Sequence, residues 1–256
     1  KGENHSGSPF CPDLQQAADR WSWQAGSKIS LWCAHSSGRV SVGGTGALNL
    51  FPGYSSDAEI YERAGLMDHG PSIFAHVIFP TEEDKRILKK HGSFSVHCPD
   101  ATVNIIAGIM PLQHMEAEGL KIAMGTDIAG GHGIGIYRQV ARAVQLSKLK
   151  EFYEPQESKT ITITQAFYHA TKESGSVFGK VGSFEKGYAF NALVIDNMED
   201  PWTKMTAEEK LERFCYIGDD RNIKADILMG SCWSRNFRNL LFNVLKSSSV
   251  GTHLDN

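Results

Sequence analysis

Three short runs with the look of buried strands, each leading to a titratable side chain, constrain this chain more than any other feature. Ser72 to His76 ends in an imidazole and Ser93 to His97 ends in another. Leu120 to Met124 leads through Gly125-Thr126 to Asp127, and Ile128-Ala129-Gly130-Gly131 then opens a helical pattern. Helical spacing fills the intervals over Asp57 to Leu66, Thr81 to Lys90 and about Gly135 to Leu149. Thr81 followed by Glu82, Glu83 and Asp84 is a strong helix start, because a hydroxyl cap and early acids suit the exposed N–H groups. Strands alternating with helices predict parallel βα units. Two imidazoles and a carboxylate at successive strand ends can converge on one metal ion or one water. Taken alone, Asp127 reads first as a helix N-cap, and the two histidine-ended runs upstream reverse that reading.

Composition narrows the class. The 256 residues are 41% hydrophobic, enough for a sizeable core. A net charge of −3 gives no reason to expect nucleic acid or an anionic membrane as partner. No apolar run approaches the roughly 18 residues of a spanning helix, and no basic and apolar leader is seen at the start of the chain. Five cysteines without paired spacing suit reduced thiols and a cytoplasmic setting. Cys98 reads as packing rather than as a nucleophile. Neither a Pro-Cys step nor a Cys-x-x-Cys occurs in the chain, so zinc sites built on that spacing are disfavoured.

Further along, Thr164 to Ser174 reads as a helix capped by Thr164. Ala192 to Asp196 and Ile223 to Met229 read as strands on either side of a helix over Ala207 to Tyr216. A plausible earlier strand, Lys28 to Ala34, precedes His35.

Four segments then carry a resemblance. They are Phe74-Ala75-His76; His97-Cys98-Pro99-Asp100-Ala101-Thr102-Val103-Asn104; Gly125 to Gly131; and Gly218-Asp219-Asp220-Arg221-Asn222-Ile223, preceded by Leu211-Glu212-Arg213-Phe214. Together they resemble the guanine deaminases of the amidohydrolase superfamily, the last segment pointing to the guanine branch. The resemblance implies the later strands of a TIM-like (β/α)8 barrel and the remnant of a small β-domain. It implies zinc-dependent hydrolysis of guanine to xanthine and ammonia, with one Zn2+ per complete site lowering the pKa of bound water from about 15.7 to about 7. By the same resemblance Asp127 is a zinc ligand that handles the proton of the attacking water, and His76 orients that water. His35 is the remaining histidine ligand. His35, Asp127, His97 and Phe10 are the candidate substrate contacts, with His97 alternatively a structural support. Complete relatives are expected to be cytoplasmic homodimers.

The resemblance also exposes gaps. No His-x-His occurs in the chain, so two of the family's four ligands have no counterpart. Where relatives carry His-x-x-Glu, this chain has His35-Ser36-Ser37-Gly38, and Gly38 has no side chain to move a proton. Ser36 to Leu48 is rich in serine, glycine and β-branched residues, poor helix formers. The expected division is a divergent segment over 1–53, barrel strands six to eight over 54–180, a helix and small β-domain remnant over 181–230, and a tail over 231–256. Two alternatives remain open. One is another amidohydrolase deaminase or a chlorohydrolase acting on a heteroaromatic ring. The other is a catalytically silent chain, either truncated, read out of frame or a pseudoenzyme. An open parallel sheet is expected to leave two unpaired edges.

Overall fold

The computed structural model describes residues 30–35, 51–68, 70–156, 158–196 and 204–232. The chain divides into two compact units, Lys1–Val177 and Phe178–Asn256.

In the first unit the four expected strands are present and parallel. β1 spans Ser30–His35, β2 Ser72–Ala75, β3 Phe94–His97 and β4 Lys121–Met124, and they lie side by side in that order. Parallel strands are normally covered on both faces and so read as short apolar runs rather than as alternation. Phe74, Phe94, Ile122 and Ala123 are accordingly buried. Phe94, Ala123 and Val177 form one apolar cluster, against which Ile73 and Val96 pack.

The connections reflect local chemistry. Helix α1, Asp57–Arg63, is capped by the Ser56 side chain, and α2, Glu82–Lys90, by a full capping box between Thr81 and Asp84. Asp84 Oδ1 also accepts the Ala58 backbone N–H at 2.8 Å, so one carboxylate ties the starts of two helices together. A helix not expected from the sequence, α3 over Pro99–Asn104, comes directly after β3, with its proline in the first turn, where a missing N–H costs nothing. α4, Leu112–Ala117, leads to β4, and α5, Ile136–Tyr153, returns from it.

One helix start differs from expectation. α6, Ile163–Tyr168, is capped by Thr162 and not by Thr164: the Thr162 hydroxyl accepts the Gln165 N–H while the Gln165 side chain accepts the Thr162 N–H. Thr164 lies inside the first turn, and only Thr162 has a glutamine three residues on to complete the box.

α6 then widens into a π-helical turn, His169–Glu173, that meets the outer edge of β4. Register places Lys121, Ala123 and the Gly125 N–H toward β3, which leaves Ile122 and Met124 facing outward. The His169 ring bonds the Ile122 carbonyl through Nδ1 at 3.1 Å, and the Ser174 hydroxyl accepts the Met124 N–H at 3.0 Å. Side chains thus satisfy an edge that the sequence pattern alone would leave bare, one way of blunting an unpaired strand.

The second unit holds an antiparallel sheet of β5, Ala192–Ile195, β6, Ile223–Leu228, and β7, Ser231–Cys232. Helix α7, Ala207–Ile217, starts at a capping box between Thr206 and Glu209. Met229 and Gly230 both have positive φ, 50° and 76°, which makes the tight turn that folds β7 back on β6. The sheet therefore continues past the boundary at residue 230 that the sequence suggested. Methionine at the first turn position hides the usual Asn-Gly signature. Asp219 caps a short turn and accepts from Arg221, a local role. The remainder of the tail, residues 233–256, lies outside the described residues. No helix among the described residues is long and apolar enough to cross a membrane.

Replacing Thr162 by alanine removes a reciprocal cap and is expected to destabilise the chain by about 1 kcal/mol, whereas Thr164→Ala should stay within about 0.5 kcal/mol. Urea unfolding of the two variants decides between the two cap positions.

Candidate functional site

The site is set by register. Ala75 pairs with Val96 and Val96 with Ala123, so the C-terminal ends of β2, β3 and β4 finish level. The ladder continues one step beyond, through His76 N–H to the Val96 carbonyl and Gly125 N–H to the His97 carbonyl, both 2.9 Å. At that point the backbone turns sharply. His76, Val77, Asp127 and Ala129 have φ of 71°, 41°, 44° and 93°. Left-handed conformations cost non-glycine residues free energy and persist only where their surroundings impose them. Here they swing His76 and Asp127 out of strand geometry and toward each other. Nε2 of His76 and Oδ2 of Asp127 are 3.5 Å apart, the imidazole 2% and the carboxylate 28% exposed.

Two glycines make this turn possible. A Cβ on Gly131 would lie 2.3 Å from the Thr126 carbonyl oxygen, and one on Gly130 would lie 2.7 Å from Asp127 Oδ2. The glycine-rich sequence is therefore needed for close approach of backbone to carboxylate rather than for flexibility. Asp127 does not act as an N-cap of α5; that position is Gly135.

His97 is also buried, and its Nδ1 has no hydrogen-bond partner among the described residues. Burial, with the neighbouring imidazoles of His169 and His76, pushes its pKa down to about 3 from 6.5. Its ring is therefore neutral at physiological pH, as suits a structural support or a neutral hydrogen-bonding group. His169 was missed in the sequence. It sits at the buried spacing of α6, after Ile163 and Ala166, where a polar residue on an apolar face is the available signal; its Nε2 lies 3.5 Å from Glu116 Oε1.

Asp100 is a second unforeseen centre. Its buried carboxylate accepts from Gln139 Nε2 at 2.7 Å and Arg142 Nε at 2.9 Å, fastening α3 to α5. His132 is exposed, with Nε2 3.7 Å from Asp100 Oδ2. The backbone of His35 pairs with Ala75, which puts it level with the site; its side chain, and all of Phe10, lie outside the described residues.

The His76 to Asp127 separation is close to the edge of a zinc tetrahedron, about 3.4 Å for bonds near 2.0–2.2 Å. Among the described residues, however, no three His, Cys, Asp or Glu side chains gather as a metal shell. Two donors fall short of the three or four that hold a zinc ion firmly, so the described residues do not by themselves fit one. Their spacing does suit a water bridging both groups.

Comparisons with known proteins bear on the family and the fold. The family described as the amidohydrolase family matches residues 47–232. Guanine deaminase of Rattus norvegicus is 28% identical over 188 residues, covering 69% of this chain and 41% of that protein. The crystal structure of guanine deaminase from C. acetobutylicum, with bound guanine in the active site, superposes with a TM-score of 0.69 at 36% identity, covering 72% of this chain and 44% of that one. An adenosine deaminase from Xanthomonas campestris with bound zinc shares the fold, with a TM-score of 0.56 at 18% identity over 73% of this chain and 44% of that one. The chain thus spans less than half the length of these relatives.

Keeping His97 neutral has a pH signature. Between 6.5 and about 3 the unfolded chain binds a proton that the folded chain refuses. The associated stability is complete above pH 6.5 and is lost as pH falls, at up to about 1.4 kcal/mol per unit. His97→Gln should flatten that dependence in urea unfolding between pH 7 and 5.

Proposed function

The chain belongs to the amidohydrolase family, and from that premise we propose that it carries part of the active site of an enzyme that hydrolyses guanine to xanthine and ammonia. The observation that carries the reading is the pair of His76 Nε2 and Asp127 Oδ2, 3.5 Å apart at the strand ends. Likeness to guanine deaminases, one of them with guanine bound, supplies the substrate. Gly218 to Ile223 favours guanine over the adenosine, cytosine or triazine rings of other family members. The reading includes an incomplete barrel, a cytoplasmic setting, and a homodimer for the complete protein.

In this reading Asp127 is the proton carrier. Its carboxylate accepts a proton from a water that also contacts His76 Nε2. The water oxygen adds to the ring carbon bearing the exocyclic amine, and Asp127 returns the proton to the departing nitrogen. Ammonia leaves, and the proton of the added hydroxyl passes to the adjacent ring nitrogen, so that the ring keeps a carbonyl. His76, almost fully buried, holds the oxygen in place. His97 lies one strand over as a neutral neighbour, and Phe10 is assigned as a substrate contact.

Zinc enters this reading as the ion of the family, with His35 and Asp127 as its ligands in this chain. Two ligands against the usual three or four make binding weak. The lack of any His-x-His, together with Gly38 at the family's glutamate position, favours a second reading: the 256-residue chain is catalytically silent by itself.

Ammonia release from guanine, with and without added zinc, tests both. The proposal expects slow release from this chain, lowered at least roughly 100-fold by Asp127→Asn, the scale of general acid–base catalysis. Release that Asp127→Asn leaves unchanged would contradict the role given to Asp127, and no release under any condition would leave the silent reading.

A further inference from the structure

We propose that Asn104 is a positioning residue for Asp127, acting through the backbone of the turn after β4; the proposal rests on the reading of Asp127 as the proton carrier. The turn is closed from within by the Gly131 N–H to the Asp127 carbonyl at 2.6 Å and the Ala129 N–H to the Gly131 carbonyl at 3.0 Å. These bonds set its shape but not its place. A link to the rest of the fold comes from Asn104, whose Nδ2 donates to the Gly130 carbonyl at 2.8 Å.

That contact bears on the carboxylate for a geometric reason. Gly130 sits between Asp127 and α3: a Cβ there would meet Asp127 Oδ2 at 2.7 Å and Ala101 Cβ at 3.3 Å. Where Asn104 holds Gly130, it therefore also fixes the wall against which Oδ2 rests. Asn104 is itself on a firm base. It ends α3, which Asp100 fastens to α5 through Gln139 and Arg142. His132, one residue beyond the turn, lies 3.4 Å from Asn104 Nδ2 and 3.7 Å from Asp100 Oδ2, closing the clasp from the loop side. The acceptor is a carbonyl, so the contact needs a donor at position 104, and aspartate of the same size cannot supply it.

Amide hydrogen exchange on the full chain reads this directly. Asn104→Ala and Asn104→Asp should each speed exchange of the Gly131 amide by about tenfold or more while leaving the Ala123 amide of β4 unchanged, because only the turn loosens. The His76 imidazole resonance should shift at fixed pH as Oδ2 moves away. Asn104→Gln, which keeps the amide donor, should restore both readings to within roughly threefold. Unchanged Gly131 exchange would overturn the proposal, as would acceleration shared equally by Ala123, which marks general destabilisation. These readings do not depend on turnover. If Asp127→Asn leaves ammonia release unchanged while Asn104→Ala still frees Gly131, the functional reading fails and the clasp on the turn stands.

Discussion

The parallel register of β2, β3 and β4 is the constraint on which the rest depends. Ala75, Val96 and Ala123 lie abreast, so the chain leaves all three strands at one level and the next residues of each must share the same small volume. A slip of one residue would move every side chain to the other face. The burial of Phe74, Phe94, Ile122 and Ala123 resists that slip, since each large apolar side chain exposed would forfeit about 1.5–3 kcal/mol. Packing in the sheet therefore fixes a position that chemistry at its end can use.

Beyond the strand ends the backbone is under constraint. His76 and Asp127 both adopt left-handed conformations, held by the His76 N–H donating to the Val96 carbonyl and the Gly131 N–H donating to the Asp127 carbonyl, by the bare Cα atoms of Gly130 and Gly131, and by the clasp from α3. Such strain is tolerated where the surroundings over-determine the backbone. The dependence runs from sheet register to turn, and from turn to carboxylate; Asp100 and Asn104 extend it to α3 and α5.

Much of this was legible in the sequence, and the reasons differ by residue. Short apolar runs ending in histidine marked the strands, because buried parallel strands have little freedom in composition. Thr81 with Asp84 announced α2 through a cap that needs no tertiary partner. The Thr162 cap was written as plainly in Thr162-x-x-Gln165, yet Thr164 competes for it at sequence level and only the hydrogen bonds separate them. His169 and Asn104 could not be assigned from spacing. Their partners, the Ile122 and Gly130 carbonyls, are far along the chain and become neighbours only after folding. The Met229-Gly230 turn was obscured because methionine rarely marks a left-handed position. His76 and Asp127 were legible as types at strand ends, but the conformations that bring them together were not.

The central claim is that His76 and Asp127 act on each other across the strand ends. A double-mutant cycle with His76→Asn, Asp127→Asn and the pair, read by urea unfolding at neutral pH, measures that coupling without requiring turnover. Groups in contact or sharing a water are expected to show an interaction energy of about 0.5 kcal/mol or more. Single effects that add to within about 0.3 kcal/mol would mean that the two side chains do not meet, and would contradict the account.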